Sequence, residues 1–185
     1  MNLTLADKVT ISRLLLLPVA VVFYLLGTDL GYYLCALFVV IIAAGDFLDG
    51  MIARRMGQET SFGAFLDPVA DKVCVITALM LAVFHFANAE VTVCALIMVL
   101  REVAISSLRE FMAQRGVRGK VNVLYASKCK TLAQGIAVLF LVLSSTTYSP
   151  WFLYLLGLVA LVFATILSVW TLAVYLNASR KELFA

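Results

Sequence analysis

Four aspartates lie within a short stretch, residues 46–71, that is flanked on both sides by apolar sequence long enough to cross a membrane. A carboxylate inside a membrane segment is costly and marks a functional site by default. The spacings of Asp46 with Asp49, and of Asp67 with Asp71, place each pair on one face of a helix. Two such helices side by side would gather four hard oxygen donors, which suits Mg²⁺ or Mn²⁺ rather than zinc. The stretch therefore predicts a metal site between membrane helices.

Small residues accompany the acidic pairs. Gly50 and Ala53 fall on the face of the first pair and Gly63 on the face of the second, where a small side chain lets a ligand or a neighbouring helix approach. Arg54 ends the first helix, where a phosphate would be met. The alternative is that the aspartates only cap helices or pair with nearby basic residues. This alternative explains one pair of aspartates more easily than it explains both pairs, because each carboxylate inside a membrane segment is costly.

The chain is far more apolar than an ordinary soluble domain, with 64% apolar residues against 14 Lys or Arg and 11 Asp or Glu. Its length predicts a single integral-membrane domain, 1–185. Each apolar run is close to or above the ~20 residues that a spanning helix needs. We predict an all-α polytopic membrane protein with six transmembrane helices after a short N-terminal interfacial segment, 1–9. The runs cover about 10–27, 31–53, 62–86, 90–113, 126–144 and 151–177.

The basic residues indicate the orientation of these spans. The connections near 27–30, 86–90 and 144–150 contain no Lys or Arg, and all 14 lie near the opposite ends of the runs. Cytoplasmic segments carry the excess of Lys and Arg. We therefore expect an integral protein of the cell inner membrane with both termini and the acidic motif on the cytoplasmic side. No nucleic-acid partner is expected.

A second, basic constellation surrounds the connection between the fourth and fifth runs. Arg109, Lys128 and Lys130 lie within or against helices, and Arg118 lies in the connection itself. Such a cluster would hold a phosphate beside the metal site. The alternative is that these charges only set the topology or attract anionic lipid. For the connection itself the two interpretations stay open.

The acidic motif resembles the pattern of the CDP-alcohol phosphotransferases, D-x-x-D-G-x-x-A-R followed by G-x-x-x-D-x-x-x-D. The matching residues are Asp46, Asp49, Gly50, Ala53, Arg54, Gly63, Asp67 and Asp71. The resemblance implies displacement of CMP from a CDP-linked lipid by an alcohol. It also implies two ions of Mg²⁺ or Mn²⁺ on the four aspartates, with Asp71 as general base. Asp46, Asp49, Gly50, Ala53, Arg54 and Gly63 would then bind the CDP group.

Three further segments are similar to the phosphatidylglycerophosphate synthase branch of that family. They are Ser106–Val117, the K-x-K-T segment at Lys128–Thr131, and Thr10–Arg13 followed by Pro18. Asp7 and Lys8 stand where the branch usually has Pro-Asn. The branch implies CDP-diacylglycerol as donor, sn-glycerol 3-phosphate as acceptor, membrane lipid around the protein and a homodimer. Arg109, Arg118, Lys128 and Lys130 would bind the acceptor phosphate.

Two other functions are compatible with parts of the sequence. One is a family member with a different acceptor, such as inositol phosphate. The basic cluster favours a phosphorylated acceptor over serine. The other is a divalent cation transporter that uses the four aspartates. Transporters place such residues near the bilayer midplane on broken helices, often within an inverted repeat. Here the aspartates lie toward one face and the sequence has no evident repeat.

Overall fold

The computed structural model describes the backbone of residues 4–56, 60–115 and 124–183. Side chains are described in these ranges except at 5–6, 46–56, 61, 64, 124–129 and 181–183. The described residues form six α-helices and no strand, which confirms the all-α class. The helices are α1 (Leu5–Leu25), α2 (Asp29–Met56), α3 (Ser61–Phe86), α4 (Ala89–Gln114), α5 (Leu124–Ser144) and α6 (Trp151–Leu183). Each contains most of one predicted apolar run, and α1 also takes in residues 5–9 of the predicted interfacial segment.

Polar caps fix where these apolar helices begin and end. The Thr60 hydroxyl accepts the backbone N–H of Gly63 at 2.9 Å and starts α3. The Asn88 side chain accepts the N–H of Val91 at 3.0 Å and starts α4. Between α3 and α4, Ala87 adopts the left-handed conformation with φ 46°, which reverses the chain direction within two residues. Side-chain oxygens satisfy N–H groups that have no partner inside the helix.

The bundle has the apolar outer surface of a membrane protein. Four helices contain segments long and apolar enough to cross a membrane: Asp7–Leu25, Phe65–Phe86, Ala89–Gln114 and Trp151–Arg180. Within the described residues α2 and α5 contribute shorter apolar segments, Asp29–Gly45 and Lys130–Ser144. Large apolar side chains such as Leu15, Phe84 and Leu132 are about 70% exposed, at 68%, 71% and 68%. These side chains face lipid, because so much exposed apolar surface would be unfavourable in water.

Helix α5 is shared by two apolar cores and joins the halves of the bundle. The first core lies between α3, α4, α5 and α6 and includes Leu79, Met98, Leu141 and Leu161. The second lies between α1, α2 and α5 and includes Tyr24, Cys35 and Val138. A Cβ at Gly157 would lie 3.0 Å from Cγ of Leu141, so the glycine lets α5 and α6 approach closely. These contacts fix the helix positions through packing.

Polar contacts between helices that are distant in the sequence show which helix ends lie together. The Tyr24 hydroxyl, late in α1, lies 3.0 Å from Oγ of Ser145, just after α5. The Asn88 side chain, at the start of α4, donates to the Tyr154 hydroxyl near the start of α6 at 2.5 Å. The N-termini of α1, α3 and α5 and the C-termini of α2, α4 and α6 therefore share one end of the bundle, here named the motif end. Toward this end lie the described residues of both constellations, such as Asp67, Asp71, Arg109 and Lys130.

The predicted orientation can be checked with single cysteines introduced after the four native ones have been replaced. Tyr148→Cys lies in the connection at the opposite end, where the side chain is 89% exposed. Gln114→Cys lies at the C-terminus of α4, at the motif end. A membrane-impermeant thiol reagent should label the first in intact cells and the second only after permeabilisation, because the basic residues mark the cytoplasmic side. Labelling of both positions in intact cells would contradict the orientation.

Candidate active site

Two of the four motif aspartates are described in full, and they lie on the first half of α3. Asp67 and Asp71 are one helical turn apart and both are exposed, Asp71 with 54% of its side chain accessible. At this spacing both carboxylates lie on one face, where they can share a ligand. They are hard oxygen donors near the helix end rather than in the apolar core. Their chemistry and position fit a divalent cation such as Mg²⁺.

The first turns of α1 hold both carboxylates in place. The Thr10 hydroxyl donates to Oδ1 of Asp67 at 2.8 Å. The Arg13 guanidinium donates to Oδ1 of Asp71 at 3.4 Å, and the Arg13 side chain is almost fully buried. Thr10 and Arg13 are three residues apart, so one face of α1 reaches both aspartates. The sequence singled out these two residues only by resemblance and gave them no partner.

Arg13 also connects α3 to α2. A Cβ at Gly45 would lie 3.0 Å from Cδ of Arg13, so the arginine stem packs directly against the backbone of α2. Gly45 is the residue before Asp46, the first aspartate of the motif. One buried side chain therefore touches Asp71 and the backbone that carries the other half of the motif. Helix α1 packs against both α2 and α3.

The start of α3 is tied to the start of α1 through Asp7. This carboxylate accepts the Thr60 hydroxyl at 2.8 Å, and it also accepts the Thr4 N–H at 3.0 Å to cap α1. A Cβ at Gly63 would lie only 2.6 Å from Oδ1 of Asp7. The missing side chain at Gly63 therefore makes room for Asp7 in this structure. A contact of Gly63 with CDP stays a prediction.

The rest of the predicted donor site lies in the last turns of α2. The residues concerned are Asp46, Asp49, Gly50, Ala53 and Arg54. Their backbone is helical, as expected, and their side chains lie outside the described residues. Because Asp67 and Asp71 are the only motif aspartates described, the four-carboxylate metal site remains a prediction.

A buried network of charges joins α4, α5 and α6. One oxygen of Glu102, Oε1, accepts from Arg101 at 2.7 Å and also contacts the ammonium of Lys130. Arg101 also donates to the carbonyl of Ser168 at 3.2 Å and to the Thr171 hydroxyl at 2.7 Å. Arg101 and Lys130 are almost fully buried, with 5% and 6% exposure. Charges so far from water are stable only when they are paired and hydrogen-bonded.

Two of the four predicted acceptor-binding residues, Arg109 and Lys130, are described in full. Lys130 lies inside the buried network, on α5. Arg109 lies on α4, where it donates to the Tyr175 hydroxyl at 3.1 Å and stacks over the same ring at 5.4 Å. Lys128 lies in α5 with its side chain outside the described residues, and Arg118 is outside the described chain altogether. The structure thus brings Lys130 into a buried charged cluster whose other members, Arg101 and Glu102, the sequence had not linked to it.

Gln134 extends the cluster by one turn of α5 beyond Lys130. Its side chain is 3% exposed, and its Nε2 has no hydrogen-bond partner among the described residues. A buried amide donor without a partner is unfavourable by about 1–3 kcal/mol. A polar ligand at this position would satisfy the donor. No signal in the sequence separates it from an ordinary buried glutamine.

The comparisons with known proteins agree with the motif. A family model described as CDP-alcohol phosphatidyltransferase matches residues 3–175. A protein of Sodalis glossinidius is 40% identical over 184 residues, which is 100% of this chain and 99% of the relative. Proteins of Escherichia coli K12 and Shigella flexneri are each 38% identical over 183 residues, covering 99% of this chain and 98% of the relative. All three are named CDP-diacylglycerol–glycerol-3-phosphate 3-phosphatidyltransferase.

Proposed function

The chain belongs to the CDP-alcohol phosphatidyltransferase family, and from that membership we propose its reaction. The protein transfers the phosphatidyl group of CDP-diacylglycerol to sn-glycerol 3-phosphate and releases CMP, a step of phospholipid biosynthesis. A hydroxyl oxygen of the acceptor forms a bond to the lipid-linked phosphorus. The bond from that phosphorus to the bridging oxygen breaks, and CMP leaves with that oxygen. The full-length relatives at 38–40% identity are named for this activity.

The observation that carries the proposal is the meeting of two opposite charge patterns at the motif end. Asp67 and Asp71 present exposed carboxylates on α3. Arg109 and Lys130 bring cations from α4 and α5 to the same end of the bundle. The carboxylates would bind the metal that a diphosphate donor needs. The cations would bind the phosphate that the acceptor carries. Positioning and charge stabilisation are the main contributions a protein makes to phosphoryl transfer.

The four aspartates, Asp46, Asp49, Asp67 and Asp71, would hold two ions of Mg²⁺ or Mn²⁺. Such ions, when bound, neutralise the negative charge on the phosphoryl oxygens of the transition state. The described pair fits them, since both groups are carboxylates on one exposed helix face. Thr10 and Arg13 orient that pair from α1.

The protein's own groups bind the donor and move the proton. Gly50 and Ala53 leave space for the cytidine and the diphosphate beside the aspartates, Gly63 contacts the same group through its backbone, and Arg54 contacts a phosphate oxygen. Asp71 accepts the proton of the attacking hydroxyl at a carboxylate oxygen. Its 54% exposure supports this role, because the acceptor reaches the site from water.

The acceptor phosphate is held by the basic cluster of Arg109, Arg118, Lys128 and Lys130. Arginine and lysine form charge-assisted hydrogen bonds to phosphate. Arg109 is pre-positioned for this by its contacts with Tyr175. Lys130 is buried beside Glu102, which supports a site where binding removes the phosphate from bulk water.

The placement of the site follows from its substrates and from the distribution of charge. We place both termini and the motif end on the cytoplasmic side of the cell inner membrane, where the soluble acceptor would be present. The exposed apolar helices bring the site close to the lipid-bound donor. The family resemblance also leads us to propose a homodimer.

A CMP-release assay on the purified protein tests the reaction. With CDP-diacylglycerol as donor and Mg²⁺ or Mn²⁺ present, sn-glycerol 3-phosphate should support turnover. Serine and glycerol should support little, because the basic cluster is suited to a phosphorylated acceptor. Inositol phosphate should support less turnover than sn-glycerol 3-phosphate, the acceptor for which the relatives are named. Faster turnover with inositol phosphate would keep the family and replace the proposed acceptor. No CMP release with any acceptor would contradict the reaction.

Asp67→Asn tests the acidic site, because it keeps the shape of the side chain and removes the charge that would bind a cation. We expect CMP release to fall by at least ~100-fold, the upper range for disrupting the partners of a metal site. Asp29→Asn is the matched control, since the Asp29 carboxylate lies at the opposite end and accepts the Thr147 N–H at 2.7 Å. Near wild-type activity of a folded Asp67→Asn protein would exclude the proposed site.

Arg109→Gln and Lys128→Gln test the acceptor site. Each removes one charged contact to phosphate, worth roughly 1.5–3 kcal/mol. The KM for sn-glycerol 3-phosphate should rise about ten- to hundred-fold and the KM for the donor much less. Lys8→Gln, which removes an exposed basic residue at the same end, is the control for lipid attraction. Equal changes in both KM values would support the topology interpretation of these charges.

A further inference from the structure

Glu102 is a carboxylate in contact with Lys130 of the basic cluster, where the proposed chemistry requires positive charge. Its side chain is 19% exposed, and one oxygen contacts both Arg101 and Lys130. Lys130 belongs to the proposed acceptor site, whereas Glu102 has the same charge as the acceptor phosphate. A direct contact of Glu102 with that phosphate would be repulsive. Its role must therefore be exerted through the cations it touches.

Arg101 anchors the carboxylate from the side of α6. Its guanidinium donates from Nε to the Ser168 carbonyl and from one terminal nitrogen to the Thr171 hydroxyl, and the other terminal nitrogen contacts Glu102. All three guanidinium nitrogens therefore donate hydrogen bonds to groups of the protein. The planar guanidinium has little freedom to reorient with such partners. Glu102 is therefore held in one place, independent of any ligand.

Lys130 receives its position from this fixed carboxylate. An ammonium group has three N–H donors, so Lys130 can hold Glu102 and still donate to phosphate oxygens. A free lysine side chain loses up to ~2 kcal/mol of rotamer entropy when it is immobilised. Because the contact with Glu102 immobilises the Lys130 side chain during folding, this entropy is lost before the acceptor binds. Pre-organisation of this kind raises affinity without a new contact to the ligand.

The described surroundings of Lys130 offer a hydrogen-bond donor and an excess of positive charge to a ligand. Gln134, one turn further on α5, is buried and has a donor with no partner among the described residues. Arg109 lies seven residues after Glu102, two turns along the same face of α4. The cations Arg101, Arg109 and Lys130 outnumber the single carboxylate Glu102. This excess of positive charge suits a phosphate.

We propose that Glu102 is a positioning residue for acceptor binding: it holds the Lys130 ammonium toward the acceptor phosphate, with Arg101 fixing the carboxylate against α6. The inference rests on the acceptor site of the proposed function. Without the carboxylate, the buried ammonium of Lys130 would lie near Arg101 with no counter-charge and would turn away from the site.

The test compares Glu102→Gln, Lys130→Met and the double variant. Glu102→Gln keeps the length of the side chain and removes its charge. It should raise the KM for sn-glycerol 3-phosphate about ten-fold or more, equivalent to ~1.4 kcal/mol, and change the donor KM by less than about three-fold. Lys130→Met should raise the same acceptor KM. In the Lys130→Met protein, Glu102→Gln should not raise the acceptor KM any further, because Glu102 acts through Lys130.

Thr165→Val separates this role from a structural one. It removes a buried hydroxyl on the same helix, α6, that donates to the Leu161 carbonyl at 2.8 Å and makes no hydrogen bond to the charged network in the described part of the chain. Lower thermal stability with an unchanged ratio of the two KM values is expected. If Glu102→Gln does not fold, Glu102→Asp takes its place, with the same comparison in the two Lys130 backgrounds.

The outcomes distinguish the inference from the function on which it rests. An equal rise in acceptor KM in both Lys130 backgrounds would overturn the positioning role. An unchanged acceptor KM in the Glu102 variant, together with a raised acceptor KM in Lys130→Met, would also overturn the positioning role. In that case Lys130 would remain part of the acceptor site. An unchanged acceptor KM in Lys130→Met would remove Lys130 from the acceptor site and the inference with it.

Discussion

The contact between Arg13 and Asp71 is the interaction on which the acidic end of the bundle depends. The arginine side chain is 3% exposed and the carboxylate 54%, so a buried cation meets a carboxylate that still reaches water. Arg13 also fills the space beside Gly45 on α2. Without Asp71 the buried guanidinium would lose this counter-charge, which is costlier than the loss of a pair exposed on both sides. Helix α1 thereby links Asp71 on α3 to the part of α2 that immediately precedes Asp46.

The two charged regions differ in exposure, and the difference corresponds to the proposed roles of the two substrates. Asp67 and Asp71 are exposed near the end of α3. Lys130 and Arg101 are buried between three helices. A lipid-bound diphosphate stays at the membrane surface, whereas a small soluble phosphate can be enclosed. Enclosure strengthens the electrostatic contacts to the phosphate, because screening by water is reduced.

The apolar packing makes such polar contacts possible at one end. Helix α5 belongs to both cores and is held against α6 at Gly157. At the opposite end, contacts such as Tyr24 with Ser145 join α1 to the connection after α5. Cores of this kind fix helix positions to within small displacements, since close-packed side chains resist rearrangement. Residues such as Glu102 and Lys130 meet because their helices are already in register.

The sequence by itself determined the helices, the class of protein and the identity of the acidic residues. Apolar runs of membrane-spanning length leave few alternatives to helices, since backbone groups in lipid must be satisfied internally. The spacing of Asp67 and Asp71 was enough to place them on one face. The partners of these residues were decided only by the tertiary structure. Thr10 meets Asp67 across 57 positions and Lys130 meets Glu102 across 28. Helical periodicity relates residues three or four apart, whereas contacts between helices depend on how the bundle packs.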